Sequence, residues 1–239
     1  MMPFQSWFKR GGGGLRGQVR EALDAIRRGD REAVLERFAG RFAEAVQELR
    51  LLPNPVDTAW LQLAAYLQFR AGDMAAAAES AERALAQQAG DAGTWHLLGR
   101  LRVWLSRTDA AAAFARAAAL DPDRYVVPYR VKREQFSLLS EEALAAIPEQ
   151  FQALLSNTLV VVADLPELES VRAGEDPDLL GLYEGGTVLE RGWPERIVLY
   201  QRNHENICAD AAELAEQVTE TMRHEVGHHF GMAEDELPF

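Results

Sequence analysis

Cysteine is nearly absent from the 239-residue sequence, because Cys208 is its only cysteine. One thiol cannot form an internal disulfide, so the sequence does not imply an oxidising compartment. No run of about 18 apolar residues occurs, and the first residues lack the charge-then-apolar order of a secretory signal. We therefore expect a soluble, cytoplasmic protein without a membrane partner.

Basic residues are scarce in the second half of the chain. Residues 131–239 hold 7 Lys and Arg against 22 Asp and Glu, whereas residues 1–130 hold 18 against 15. This change in charge indicates two units with different surfaces. Because phosphate binding needs a basic face, the acidic half argues against a nucleic-acid partner. Apolar residues make up 48% of the chain, which is enough for a buried core and excludes wholesale disorder.

The first half has a helical pattern. From Leu15 to about Leu120 the sequence is rich in Ala, Leu, Arg, Glu and Gln, with apolar residues three and four positions apart. Residues 1–14 precede it and end in four glycines, which predicts a flexible tail. Helix breaks are predicted at Gly29-Asp30, Gly40, Pro53–Pro55, Gly72-Asp73 and Gly90-Asp91.

An internal repeat is visible within this helical half. Trp60 and Trp95 lie 35 residues apart, and each is followed by Leu three positions later. Alanines in the following helices, such as Ala77 and Ala81, would let paired helices approach closely. This pattern resembles the tetratricopeptide repeat, with two degenerate units over about residues 57–123. The resemblance implies a groove for a protein or peptide partner; a helical scaffold for the rest of the chain is the alternative.

The pattern changes after Pro128, and several elements are predicted there. The β-branched run at 157–163 is typical of a buried central strand, and a second strand is predicted at 196–201. The other predictions are one or two helices over Arg133–Leu154 with Ser140 as the N-cap of the second, an acidic loop at 167–177, a Gly-rich turn at 181–186, and a helix from Asp210 through about Phe230.

A metal-site motif lies near the end of that last helix. His224 and His228 are four residues apart, which places them on one face of a helix, where both imidazoles can reach one Zn²⁺. Glu225 follows the first histidine, close enough to take a proton from water without ligating the metal. The spacing therefore predicts two ligands and a general base.

A third ligand is predicted just beyond the helix. Gly231 offers a sharp turn, and Glu234 then falls ten residues after His224, where HExxHxxGxx(H/D) peptidases place their third ligand. Asp235 is the alternative to Glu234. His229 lies off the face of the two predicted ligands, so we interpret it as a packing residue or an outer contact.

The second half also resembles a known family, the bacterial mini-zincins, which are small zinc-dependent metallopeptidases. The stretches that carry the resemblance are Glu142–Leu144, Ile147-Pro148, Leu159–Val162, Leu165-Pro166, Leu180–Gly185, Arg196–Tyr200 and His224–Gly231. The resemblance implies a small α/β zincin fold, one zinc ion, His224 and His228 as ligands, Glu225 as the catalytic residue and an acidic third ligand.

Together these observations predict an α+β protein with an all-α helical-repeat domain at 15–127 and a zincin-like domain at 128–239. Its predicted function is peptide-bond hydrolysis, with the repeats recruiting or positioning a substrate or partner. A metal-binding but non-proteolytic sensor or interaction module is the alternative. The strand at 196–201 is predicted to form the edge of the cleft, where an extended peptide would add, and Tyr183 or Tyr200 to bind substrate at the oxyanion.

Overall fold

The computed structural model describes residues 14–28, 38, 40–52, 56–152, 155, 158–185 and 195–229. By its internal contacts the chain forms two compact units. Unit 1 comprises Met1–Leu120 with Leu168–Asp176, and unit 2 comprises Asp121–Glu167 with Pro177–Phe239. The domain boundaries inferred from the sequence stay predictions. The predicted tail, residues 1–14, lies outside the described residues except for Gly14.

Unit 1 is mostly helical, as the sequence predicts. Gly40, Gly72-Asp73 and Gly90-Asp91 fall between helices, whereas the predicted breaks at Gly29-Asp30 and Pro53–Pro55 lie outside the described residues. The helices are α1 (Leu15–Arg27), α2 (Phe42–Arg50), α3 (Thr58–Arg70), α4 (Met74–Gln87), α5 (Ala92–Trp104) and α6 (Ala110–Leu120). The tetratricopeptide resemblance of this region stays a prediction.

Aspartates begin three successive helices of unit 1. The carboxylates of Asp57, Asp73 and Asp91 accept hydrogen bonds from backbone N–H groups three residues later, at 2.8, 3.2 and 2.7 Å. Each bond satisfies an N–H that has no partner within the helix, a contribution of about 1 kcal/mol. The Gly72-Asp73 pair thus ends α3 with a left-handed glycine (φ +75°) and begins α4.

A segment that follows β1 in the sequence also belongs to unit 1. Residues 167–177 were predicted to be an acidic loop, but Leu168–Ala173 forms a helix, α9, so that prediction is wrong. Val171 is 1% exposed and packs in an apolar cluster with residues of α3, α4 and α5. Asp176 pairs with Arg70 of α3 at 2.6 Å. The apolar residues of α9 find core partners far away in sequence, which composition alone does not indicate.

Unit 2 combines helices with a small sheet, so the protein is α+β as predicted. Its helices are α7 (Arg133–Ala145), α8 (Glu149–Gln152), α10 (Gln201–Ile207) and α11 (Ala211–His229), and its strands are β1 (Thr158–Ala163), β2 (Gly181–Glu184) and β3 (Glu195–Tyr200). The strand order in the described sheet is β1-β3-β2. β1 pairs with β3 in parallel, with Val160 opposite Ile197, and β2 pairs with β3 antiparallel, with Tyr183 opposite Ile197.

Strand order corrects two predictions. The β-branched strand β1 lies at an edge of the described sheet instead of its centre, and Leu159 on it is 63% exposed. The Gly-rich stretch begins with β2, because Gly181 starts a strand instead of a turn. β-Branched residues favour strands wherever one face is covered, so they do not reveal which strand has two neighbours. β3 is the strand paired on both sides.

The structure has two helices in the described part of 133–154, but the prediction that Ser140 begins the second one is wrong. α7 runs continuously through Ser140, which is 2% exposed. The Ser140 hydroxyl donates to the backbone carbonyl of Phe136 at 2.9 Å. A buried serine in a helix can satisfy its hydroxyl on the preceding turn, so it does not act as an N-cap here.

No helix in the described part of the chain has the length and apolar character that crossing a membrane requires.

The packing at Gly72 gives a testable stability difference. A β-carbon there would lie 2.8 Å from Cγ of Arg172 on α9, whereas one at Gly40 (φ +82°) would meet nothing within 4 Å. Both residues have left-handed backbone, which costs alanine about 1–2 kcal/mol. Gly72→Ala should lower the free energy of unfolding by about 1–2 kcal/mol more than Gly40→Ala, because α9 must also shift. Urea unfolding of both variants checks this, and equal losses would contradict it.

Candidate active site and metal centre

Helix α11 carries the predicted metal-site motif, and its start and its buried face follow from its sequence. The helix begins next to Asp210, as predicted, and Asp210 caps it by accepting hydrogen bonds from the backbone N–H groups of Ala212 at 2.8 Å and Glu213 at 3.0 Å. A stripe at four-residue spacing packs into the core of unit 2 and fixes which face of α11 meets the sheet. The stripe consists of Leu214, Val218, Met222 and Val226, all 0% exposed.

The described part of the motif lies on the last turns of α11. His224 is half-buried, and His228 lies one turn later on the same helical face. The predicted turn at Gly231 and the candidate third ligands Glu234 and Asp235 lie outside the described residues. Within the residues that the structure describes, no group of three or more His, Cys, Asp or Glu side chains could hold a metal ion. The ligand set therefore stays a prediction.

Glu225 of the motif is buried and hydrogen-bonded. It is 6% exposed, and its Oε2 atom accepts a hydrogen bond from the backbone N–H of Tyr183 on β2 at 2.8 Å. A buried carboxylate needs such donors, because burial without hydrogen bonds is costly. The bond fixes the side chain that the sequence predicts as the general base.

Close packing at Gly181 allows this hydrogen bond. A β-carbon at Gly181 would lie 2.7 Å from Cγ2 of Thr221 and 2.8 Å from Cγ of Glu225. Because real β-carbons almost never approach so closely, only glycine lets the start of β2 lie this near to α11. Two residues later, the backbone of Tyr183 reaches the carboxylate.

The two predicted substrate-binding tyrosines lie on neighbouring strands. Burial, and after it the charge of Glu195, raise the pKa of the Tyr183 hydroxyl, so the hydroxyl remains protonated at neutral pH. Tyr200 ends β3 and is 5% exposed. Their role in substrate binding stays a prediction.

The predicted edge of the cleft is assigned to the wrong strand. The strand at 196–201 corresponds to β3, which is the centre of the described sheet and has no unpaired edge for a peptide. β2 is an edge strand of that sheet and lies against Glu225. The Gly-rich stretch that contains β2 does not indicate in sequence that β3 has an antiparallel neighbour in addition to β1.

The sequence analysis missed a buried polar helix, α10, directly after β3. Its polar side chains are almost fully buried: Gln201, Asn203, His204, Glu205 and Asn206 are at most 4% exposed. Such a run of polar residues directly after a strand resembles a surface loop in sequence. The density of hydrogen-bonding side chains was the sequence feature that could have indicated burial, but it becomes informative only once their partners are known.

Glu205 connects α10 to the segment before α7. Its carboxylate accepts hydrogen bonds from the backbone N–H of Val131 at 3.1 Å, from Gln201 at 2.8 Å and from Arg130 and Arg202 at 2.9 Å each. Burial opposes the charge, but the donors dominate and hold the pKa of Glu205 below its ordinary value. The group is therefore a buried, fully supported carboxylate.

His204 is on α10, and its ring contacts both the end of β3 and α11. Its Nδ1 is 3.0 Å from the backbone oxygen of Tyr200, and its Nε2 is 3.0 Å from the Thr221 hydroxyl oxygen. Burial is the main cause that lowers the pKa of His204 to about 4. The imidazole is therefore neutral at physiological pH and forms a hydrogen-bonded link between β3 and the helix that carries Glu225.

The donor chemistry of the site suits a zinc ion. Histidines four positions apart in a helix, as at 224 and 228, are typical of zinc sites, and the Glu225 carboxylate accepts a hydrogen bond from the backbone of β2. The Oε2 atom of Glu225 therefore has a backbone donor, and the role of Glu225 as a proton acceptor stays a prediction. Of the predicted zinc ligands, the structure describes the side chain of His224, and an imidazole is a donor that zinc accepts.

The fold and motif define an α+β unit built around a histidine- and glutamate-bearing helix beneath a short sheet. Residues 155–238 match the family model of the zincin-like metallopeptidases. The match spans β1, β2, β3 and the motif helix, about a third of the chain. Among curated proteins, none matches the chain.

The neutral state of His204 predicts a pH effect on stability. In the unfolded chain its pKa returns to the ordinary value of 6.5, so between about pH 6.5 and pH 4 the unfolded state binds the extra proton. Stability conferred by this site is therefore lost as the pH falls through that range, by about 3 kcal/mol.

His204→Gln removes the titrating group, so it isolates this effect from the other acids. The difference in unfolding free energy between wild type and His204→Gln should shrink by about 3 kcal/mol from pH 7 to pH 4. Urea unfolding at both pH values measures it, and a difference that does not vary with pH would contradict the assignment.

Proposed function

We propose that the protein is a zinc-dependent metallopeptidase that hydrolyses peptide bonds. The observation that supports this most is the buried carboxylate of Glu225, which accepts a hydrogen bond from a backbone N–H of β2. Glu225 lies between the histidine positions 224 and 228 of the same helix. This arrangement falls within the stretch that matches the zincin-like metallopeptidase model. His224, His228 and either Glu234 or Asp235 would hold the metal.

The chemistry assigned to Glu225 follows from its surroundings. A bound zinc ion would supply a Lewis acid that brings the pKa of water toward about 7. Glu225 accepts the proton from the attacking water and then passes it to the leaving amine. The hydrogen bond from the Tyr183 N–H to Oε2 favours one orientation of the carboxylate during both transfers.

Substrate would bind along β2, the edge strand of the described sheet that lies against Glu225. An extended peptide adds to such an edge through backbone hydrogen bonds. Tyr183 is on the same strand, and its protonated hydroxyl is suited to donate to an oxyanion. We prefer Tyr183 to Tyr200 for this role, because Tyr200 is only 5% exposed.

The helical repeats would recruit or position a protein substrate or partner. The alternative is a metal-binding module that does not cleave peptides, in which the repeats carry the interaction. Both possibilities use the same metal ligands, so cleavage distinguishes them.

Glu225→Gln is the sharpest test of the peptidase. Glutamine keeps an oxygen that can accept the Tyr183 N–H but cannot take a proton from water. We expect zinc to be retained and cleavage of a fluorogenic peptide library to fall by about 10²–10⁴-fold. Zinc content by atomic spectroscopy and initial cleavage rates check this.

Glu216→Gln is the matched control, because it removes the same charge from an exposed position on α11. It should leave cleavage unchanged. Retained zinc with no cleavage by wild type or variant would support the binding module instead.

Metal binding has its own test. His224→Ala and His228→Ala should each lose most of the bound zinc, because two protein donors hold a catalytic zinc weakly. His229→Ala should keep it, because position 229 lies off the face that carries the other two histidines. Zinc content after dialysis is the measurement, and zinc retained in His228→Ala would refute the ligand assignment.

A further inference from the structure

His204 is completely buried, and its neighbours fix its protonation state. A backbone oxygen can only accept, so the Nδ1 that lies 3.0 Å from the Tyr200 oxygen carries the proton. Nε2 is then an acceptor, and the Thr221 hydroxyl donates to it at 3.0 Å. The ring also packs edge-on against Phe136, with centroids 5.4 Å apart. One tautomer of His204 therefore satisfies both partners.

The bond to His204 sets the side-chain orientation of Thr221. In a helix threonine populates two χ1 rotamers, because its hydroxyl can also bond to the preceding turn. Donation to Nε2 of His204 selects one of them and so fixes where the methyl group lies. Cγ2 of Thr221 is the atom that a β-carbon at Gly181 would approach to 2.7 Å. The methyl group thus forms the surface on which the start of β2 rests.

The same strand supplies the backbone donor to the candidate general base. Glu225 lies one helical turn after Thr221 on α11, and Tyr183 lies two residues after Gly181 on β2. The methyl group of Thr221 limits how closely β2 approaches α11. The 2.8 Å bond from the Tyr183 N–H to Glu225 requires the resulting distance between strand and helix. His204, Thr221, β2 and Glu225 therefore form one continuous series of contacts.

We propose that His204 is a positioning residue for Glu225, acting through the Thr221 side chain and the backbone of β2. The inference rests on the proposed peptidase function for its catalytic meaning, but its structural part stands separately. His204 contacts neither the metal-ligand positions nor Glu225 in the described hydrogen bonds. Its role is to select the Thr221 rotamer whose methyl group contacts the start of β2.

The experiment measures the Tyr183 N–H directly. Amide hydrogen exchange by NMR is compared in wild type, His204→Phe, Thr221→Val and the double variant of the full-length protein. In His204→Phe we expect Tyr183 exchange to rise about tenfold relative to the amides of β3, because Thr221 loses its partner. Cleavage, where present, should lose kcat about tenfold with KM and zinc content unchanged.

The double variant makes the mechanism falsifiable. Valine keeps a methyl at the position facing Gly181 and strongly prefers one rotamer in a helix, so it no longer needs the histidine. His204→Phe with Thr221→Val should therefore restore slow Tyr183 exchange and most of kcat. A merely structural role for His204 gives no such rescue, so absence of rescue would overturn the proposal.

Ser140→Ala is the matched control, because it removes another buried side-chain hydrogen bond from unit 2. It should leave exchange at Tyr183 unchanged relative to β3, and equal effects of Ser140→Ala and His204→Phe would refute the positioning role. If His204→Phe accelerates exchange and the double variant reverses it while the wild type cleaves no peptide, the positioning inference is supported and the peptidase proposal fails.

Discussion

The hydrogen bond from the Tyr183 backbone N–H to the Glu225 carboxylate is the contact on which the candidate site depends. A carboxylate that is 6% exposed needs a donor, and the missing side chain at Gly181 brings β2 near enough to α11 to supply one. The central strand β3 holds β2 by antiparallel pairing, and the apolar stripe of α11 packs against the same sheet. Sheet order and core packing thus determine the orientation of one acidic side chain.

Support for this site comes from buried polar groups. Helix α10 places Glu205 and His204 in the interior, where each is satisfied by several donors or by two well-placed partners. Removing one partner from such a group leaves the other unsatisfied at a cost comparable to a core cavity. Apolar contacts bring α11 against the sheet, and the His204–Thr221 hydrogen bond links it to the end of β3.

The contacts also show that sequence order does not follow the division into compact units. The segment containing α9 lies between β1 and β2 in the sequence and within the stretch that matches the zincin-like metallopeptidases. By packing it belongs to unit 1, where Val171 is buried and Asp176 pairs with Arg70. Composition places residues on one side of a domain boundary, but burial against distant partners decides which core they join.

The sequence by itself determined the helical character of residues 15–120, the strand β3, the start of α11 near Asp210 and the four-residue spacing of His224 and His228, because these depend on neighbours within a few positions. Only the tertiary structure decided that β3 is central, that Gly181 begins a strand and that His204 is buried. The physical reason is that strand pairing, close approach and hydrogen-bond partners join residues far apart in the chain. Local periodicity records that a residue is buried, but not against what.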